Sequence, residues 1–174
     1  MAHSVGHYGL RIFHGHQPPQ TAYYEDHLSY MCGKKGIMGG TLGDIVFRNI
    51  TVSDCRVAGI EFEDISLGSN RIDDMHTENA FVVGQSNGNP GTAGFGIVAP
   101  HSDLYFVTDA RFFNFPTGAA LSDCSHCDTP AGDSGCRTTR FSNLQFDDAT
   151  VLKRVVWSSP FKGIFHDLDG TLTE

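Results

Sequence analysis

The chain has 174 residues, 20 of them glycine and 13 phenylalanine, with a single tryptophan and a formal charge of −8. That length gives one domain with a real core. The acidic balance makes nucleic acid and anionic lipid poor partners and disfavours a strongly polyanionic glycan, and no run of about 18 apolar residues offers a membrane span.

Met1-Ala2-His3-Ser4 has no apolar segment of the kind a secretory signal carries. Residues 1–40 are irregular, and the stretch "HGHQPPQTAYYEDH" is expected to be an excursion from a regular structure that runs over 41–174. His14 and His16 flank Gly15, with His3, His7 and His27 nearby, which offers a metal chelate; exposed loop histidines are the plainer reading. Helical periodicity is nearly absent. Short β-rich runs alternate instead with Gly, Asn, Asp and Ser: "DIVFRNITVSD", "GIEFEDISLG", "AFVVGQ", "GFGIVA", "DLYFVTDARFFNF", "TTRFSNLQFDD" and "RVVWSS".

Five places read Phe-x-Asn/Asp-hydrophobic, beginning at Phe47, Phe62, Phe112, Phe141 and Phe165. Their polar members are Asn49, Asp64, Asn114, Asn143 and Asp167. In a plain strand the inward residues keep one parity. Here the parity changes at the polar residue: Ile45 and Phe47 precede Asn49, whereas Ile50 and Val52 follow it. A one-residue phase slip at Asn or Asp implies a sharp bend, and these residues tolerate the left-handed region. Strand pairs joined at such bends predict an all-β, right-handed parallel β-helix of five to six coils, with an Asn/Asp ladder outside and phenylalanines stacked inside. The 29 residues from Phe112 to Phe141 and the 24 from Phe141 to Phe165 suit one coil each. The segment "NRIDDMHTENAFVVG" reads as a degenerate copy. The alternative is a β-sandwich with recurring turns, which would carry more two-residue hairpins.

Three of the five cysteines, Cys124, Cys127 and Cys136, crowd into a Gly/Pro/Asp/Ser loop. A disulfide between two of them, free thiols, or a zinc site completed by His126 are the three readings. Asn49-Ile50-Thr51 is a glycosylation sequon. The adjacent acids Asp73-Asp74 and Asp147-Asp148 point to opposite faces of a strand, so only acids from stacked coils would meet as a glycosidase pair. Arg48, Arg71, Arg111, Arg137 and Arg140 offer a line of cations for a glycan carboxylate, with Tyr23, Tyr24, Tyr30 and Trp157 as candidate sugar platforms.

The chain closes on "FHDLDGTLTE", the pattern of an aspartyl-phosphate nucleophile. Only Glu174 follows, so the lysine and acids that such a phosphatase needs downstream are missing. Asp167 and Asp169 instead offer oxygen ligands for Ca²⁺, or a hydrogen-bonded turn. No other cofactor is expected.

The stretch "VWSSPFKGIFHDLDGTLT", with "HYGLRIF", "CRVAGIEFED" and "ALSDCSHCDTPAGDSG", resembles the parallel β-helix region of the fibrocystin and fibrocystin-L receptors. It is also similar to the cell-migration-inducing and transmembrane hyaluronidases. The resemblance implies a fragment of a very large ectodomain on a ciliary or stereociliary coat. The implied role is adhesive, receptor-like or structural, without catalysis, with neighbouring modules or other surface proteins as partners and glycans as an alternative ligand. A hyaluronidase-like enzyme on the same fold is the rival.

Overall fold

A computed structural model describes residues 1–12, 15–65, 75–86, 94–100, 105–123, 138–147, 149–157 and 163–173. The described residues are all-β. In chain order the strands are β1 (Ala2–His3), β2 (Tyr8–Ile12), β3 (Ala22–Glu25), β4 (Leu28–Tyr30), β5 (Lys35–Leu42), β6 (Ile45–Ser53), β7 (Ala58–Ile65) and β8 (Met75–Val83). They continue with β9 (Phe95–Val98), β10 (Tyr105–Thr108), β11 (Arg111–Phe113), β12 (Ala119–Ser122), β13 (Thr138–Ser142), β14 (Gln145–Phe146), β15 (Val155–Val156) and β16 (Ile164–Asp167).

Among the described residues every pairing is parallel, and the strands fall into two sheets. The six-stranded sheet runs β15-β12-β9-β7-β5-β2. The ten-stranded sheet is built on β1-β4-β6-β8-β10-β13-β16, with β3 beside β6 and with β11 and β14 extending it beside β8. The chain lays one strand on the smaller sheet, crosses to the larger, bends there, and returns for the next pass. Parallel neighbours cannot be joined by hairpins, so every pairing is between distant segments. This contradicts the hairpin-built sandwich and is consistent with a solenoid.

Residues 1–40 are not an excursion. β2 pairs with β5 through Leu10↔Ile37, β3 pairs with β6 through Tyr24↔Phe47, and β4 pairs with β6 through Ser29↔Val52. Gly6, Gly15, Pro18, Pro19 and Gly33 lie between those strands, which is why the segment reads as irregular.

The core lies between the sheets. On the smaller sheet Leu10, Ile37, Ile60, Ile97, Leu121 and Val155 stand in one line. On the larger sheet a line runs Tyr24, Phe47, Thr77, Val107, Phe141, Asp167. Phe62 reaches across, with ring centroids 5.1 Å from Phe47 and 5.5 Å from Tyr105. Buried Tyr105 keeps its hydroxyl satisfied by Thr77 Oγ1 at 2.8 Å, and burial pushes the phenol pKa upward.

The phenylalanines are core, but they do not form one stack. Phe47, Phe62, Phe112 and Phe141 are buried and Phe165 packs against the core. Phe47 and Phe141 share a line; Phe62 belongs to the smaller sheet. Phe112 aligns with Val82 and Phe146, and Phe165 with Thr139. Parallel in-register stacking asks only for shape-compatible neighbours, so Tyr, Thr and Val serve where the repeat calls for Phe.

A line of small residues runs Gly9, Gly36, Gly59, Gly96, Ala120 down the smaller sheet. A Cβ at Gly9 would collide with Ser29 Oγ, and one at Gly36 would meet Val52 Cγ1 at 2.9 Å. At the glycines of this line the opposite wall of the larger sheet approaches too closely for a side chain. This line, written Gly-Leu/Ile in the sequence, is a periodic signal that the Phe-based repeat overlooks.

Candidate functional site

Two rows of corners carry the recurring polar residues. The first lies at the bend inside the larger sheet. Register places Asp26, Asn49, Asn79, Asp109, Asn143 and Asp169 over one another, each two residues beyond the core line that starts at Tyr24. Asp26, Asn49, Asn79, Asp109 and Asn143 have φ between 50° and 57°, the left-handed region. Asn49 Nδ2 donates to Asp26 Oδ1 at 3.1 Å, and Asn79 Nδ2 donates to Asn49 Oδ1 at 2.8 Å. Asn143 Nδ2 donates to Asp109 Oδ1.

The second row follows the strands after that bend. Ser4, Met31, Asp54 and Asn114 all have positive φ, and Met31 N donates to Ser53 O at 3.1 Å while Asp54 N donates to Val83 O at 3.2 Å. Asn114 therefore belongs to this second row, where Thr150 Oγ1 accepts from its backbone N–H at 2.9 Å. Asp64 lies in β7 of the smaller sheet, in register with Thr41, away from both rows. Asp167 aligns with Phe141, so the ladder member on that pass is Asp169.

Asn79→Val is expected to cost about 2–4 kcal/mol, from a lost hydrogen bond of about 1 kcal/mol and backbone strain of about 1–3 kcal/mol. Asn79→Gly, which tolerates the same φ, is expected to cost only about 0.5–1.5 kcal/mol. Urea unfolding of the two variants checks the order.

The closing "DLDGTLT" is a hydrogen-bonded turn. Asp167 Oδ1 accepts from Gly170 N at 3.1 Å, and Asp167 Oδ2 accepts from Leu172 N, Thr173 N and Thr173 Oγ1 at 3.0–3.2 Å. Asp169 Oδ1 accepts from Thr171 Oγ1 at 2.7 Å and Thr171 N at 3.2 Å. Asp169 Oδ2 accepts from Asn143 N at 2.6 Å, and Thr171 Oγ1 accepts from Leu144 N at 2.9 Å. All four carboxylate oxygens thus organise the turn, and buried Leu172 folds onto the end of the core. This is the arrangement of a cap, and it leaves Asp167 poorly placed as a nucleophile.

The Thr171 hydroxyl, then the Asn143 N–H, hold Asp169 below its ordinary pKa of 3.8. A depressed folded-state value means the cap's contribution is present above the unfolded pKa and is lost as pH falls through the folded one. Acid unfolding below about pH 4 is therefore expected to begin at this end. Amide exchange at Leu144 and Thr171, followed across that range, checks it.

The other candidate residues are largely engaged. The outward line Glu25, Arg48, Glu78 is an ion triplet, with Arg48 Nη1 to Glu25 Oε1 at 3.1 Å and Nε to Glu78 Oε2 at 2.9 Å. The Glu78 bond, foremost, raises the guanidinium pKa. Arg48 and Arg140 lie in the same sheet face region, Arg111 lies beyond the bend in β11, and Arg71 and Arg137 fall outside the described residues. Arg140 sits 5.0 Å over Phe106, which itself stacks on His76 at 4.9 Å. Tyr30 stacks on His3, Tyr24 on Phe47, and Trp157 leans on Phe165 at 4.7 Å. Arg48 covers Tyr23. The aromatic faces are spent on neighbours along the stack, which weakens them as sugar platforms.

Lys35 Nζ and Glu61 Oε1 form a 2.8 Å pair in which Glu61 is buried. Asp147 accepts from Ala149 N and Thr150 Oγ1. Asp73, Asp74, Asp148, His14, Cys124, His126, Cys127 and Cys136 lie outside the described residues. His16 Nε2 is 3.4 Å from the Tyr24 hydroxyl, and no group of three His, Cys, Asp or Glu suited to a metal occurs among the described residues. The Asn49 amide nitrogen that a glycan would take is the donor to Asp26. A shallow cavity of about 280 Å³ is lined by Arg56, Lys153, Phe95 and Thr117. The chain matches no protein-family model, no curated protein and no solved structure.

Proposed function

We propose that the two sheets wind as a right-handed parallel β-helix of five to six coils, a non-catalytic scaffolding and recognition module of a large fibrocystin-L-like surface protein outside the cell. Right-handed crossovers are the rule for parallel strands in one sheet. The observation that carries the reading is the outer strand edge at the end of the stack, beside the turn that caps the core. Among the described residues β15 and β16 each pair on one side only. Beside them Leu152, Trp157, Ile164 and Leu168 are exposed, with Leu168 at 49%. An unpaired strand edge with apolar residues around it is a template for another strand. The occupant is a neighbouring module of the same chain or another surface protein. Ca²⁺ is not needed for this role, because protein donors already occupy the Asp167 and Asp169 oxygens.

Sedimentation at rising concentration tests the edge. Self-association that is suppressed by Ile164→Lys with Leu168→Lys is the expected result. A monomer at every concentration, unaffected by the substitutions, contradicts it. Incubation with hyaluronan and related polymers tests the rival. Unchanged chain length is expected; depolymerisation abolished by one acidic substitution would overturn the scaffolding reading.

A further inference from the structure

Cys32 and Cys55 follow equivalent corners on neighbouring passes. Tyr30 and Ser53 are in register, Met31 N donates to Ser53 O at 3.1 Å, and Arg56 N donates to Cys32 O at 3.0 Å. These bonds bracket the two cysteines and hold their backbones one strand spacing apart, about 4.8 Å, inside the Cα range of about 4.4–6.8 Å that a disulfide spans. The side chains repeat one another's setting. Cys32 Sγ lies 3.8 Å from Tyr30 O and Cys55 Sγ lies 3.4 Å from Ser53 O, each two residues back along its own chain. Both residues are 1% exposed. In the structure both are reduced.

We propose that Cys32 and Cys55 form a disulfide between successive coils when the chain folds in an oxidising environment, closing one full turn of the solenoid into a covalent ring. The oxidant is a small-molecule disulfide such as oxidised glutathione. One cysteine thiolate attacks a glutathione sulfur and releases the first glutathione as thiolate. The second cysteine thiolate then attacks the mixed disulfide and releases the second. Two protons leave the cysteines, and two electrons pass to the oxidant, which becomes two reduced glutathiones. Burial pushes both thiols above their ordinary range, so the native reduced pair reacts slowly. The bond therefore closes during folding, while the corner is still open to the oxidant.

The test refolds the full chain in a glutathione buffer, alkylates remaining thiols after denaturation, and maps the peptides. Lys34, Lys35 and Arg48 separate the two cysteines on tryptic digestion. A linked Cys32–Cys55 peptide, lost on reduction with the gain of two alkylation sites, is expected. An upward shift in Tm of the oxidised chain, absent from Cys55→Ser, is expected with it. Full alkylation of both cysteines after equilibration, or linkage of either to Cys124, Cys127 or Cys136, would overturn the proposal. If Cys55→Ser does not fold, the peptide map of the unaltered chain decides alone.

Discussion

Phe47→Ala is expected to destabilise the fold by about 3–5 kcal/mol, the range for deleting a buried phenylalanine ring. Phe47 is fully buried where the sheets meet, with its ring centroid 5.3 Å from Tyr24 on the preceding pass and 5.1 Å from Phe62 on the facing sheet. The neighbours on either side are fixed by parallel pairing to β3 and β8, so the space cannot close by moving one strand alone. Domains of this kind have about 5–15 kcal/mol in total, and the variant loses a large part of it. Urea unfolding reads the change as a lower midpoint at an unchanged slope. Phe81→Ala is the control: that side chain is 43% exposed, and about 0.5 kcal/mol or less is expected.

The opposite error, adding volume, is expected to be as damaging at Gly59. A Cβ there would lie 2.7 Å from the Gly96 carbonyl oxygen and 2.9 Å from Val52 Cγ2, with Val82 Cγ1 at 3.1 Å. The first of these is backbone within the sheet and cannot swing aside. Gly59→Val is expected to cost about 3 kcal/mol, at the upper end of overpacking, and Gly59→Ala less. Gly6, where an added Cβ meets nothing within 4 Å, is the matched control, and Gly6→Ala is expected to stay within about 0.5 kcal/mol of the unaltered chain. Thermal unfolding of the three variants distinguishes a close approach of two walls from a general intolerance of glycine replacement.

The parts of this architecture that are legible in the sequence are those where backbone strain restricts the residue. At Asn49 and Asn143 the left-handed corner favours Asn, Asp or Gly, and the parity of apolar residues visibly slips. Asp26, Asn79 and Asp109 obey the same rule but escape a repeat written around phenylalanine, because Tyr24, Thr77 and Val107 occupy the core line before them. Core positions are selected by volume and shape and tolerate several residue types. Corner positions are selected by φ and tolerate few. The ladder is therefore better found from its polar members, as in "YYED", "FRNI", "TENA", "VTDA" and "FSNL", than from its aromatic ones.

The same distinction explains Asp64 and Asp167. Each follows a phenylalanine at the right interval, yet neither is among the positive-φ residues. Asp64 is in the smaller sheet, and Asp167 continues the core line on the last pass, where its carboxylate gathers the closing turn. A short pattern cannot tell which face it occupies when consecutive faces share the same alternation. Register can, and register depends on pairings between segments 23 or more residues apart, as Asp26 and Asn49 are. The cysteine pair was hidden for the same reason: Cys32 and Cys55 look unrelated until the passes are stacked.

Through-space nuclear Overhauser contacts in the labelled chain test the stacked arrangement most directly. The expected result is a chain of contacts from Asn49 to Asn79 and from Asp109 to Asn143, with amide-to-Hα contacts between parallel partners such as Phe47 and Thr77. Short Hα–Hα contacts between sequential strands, the mark of hairpins, with no contact between successive corner residues, would contradict it.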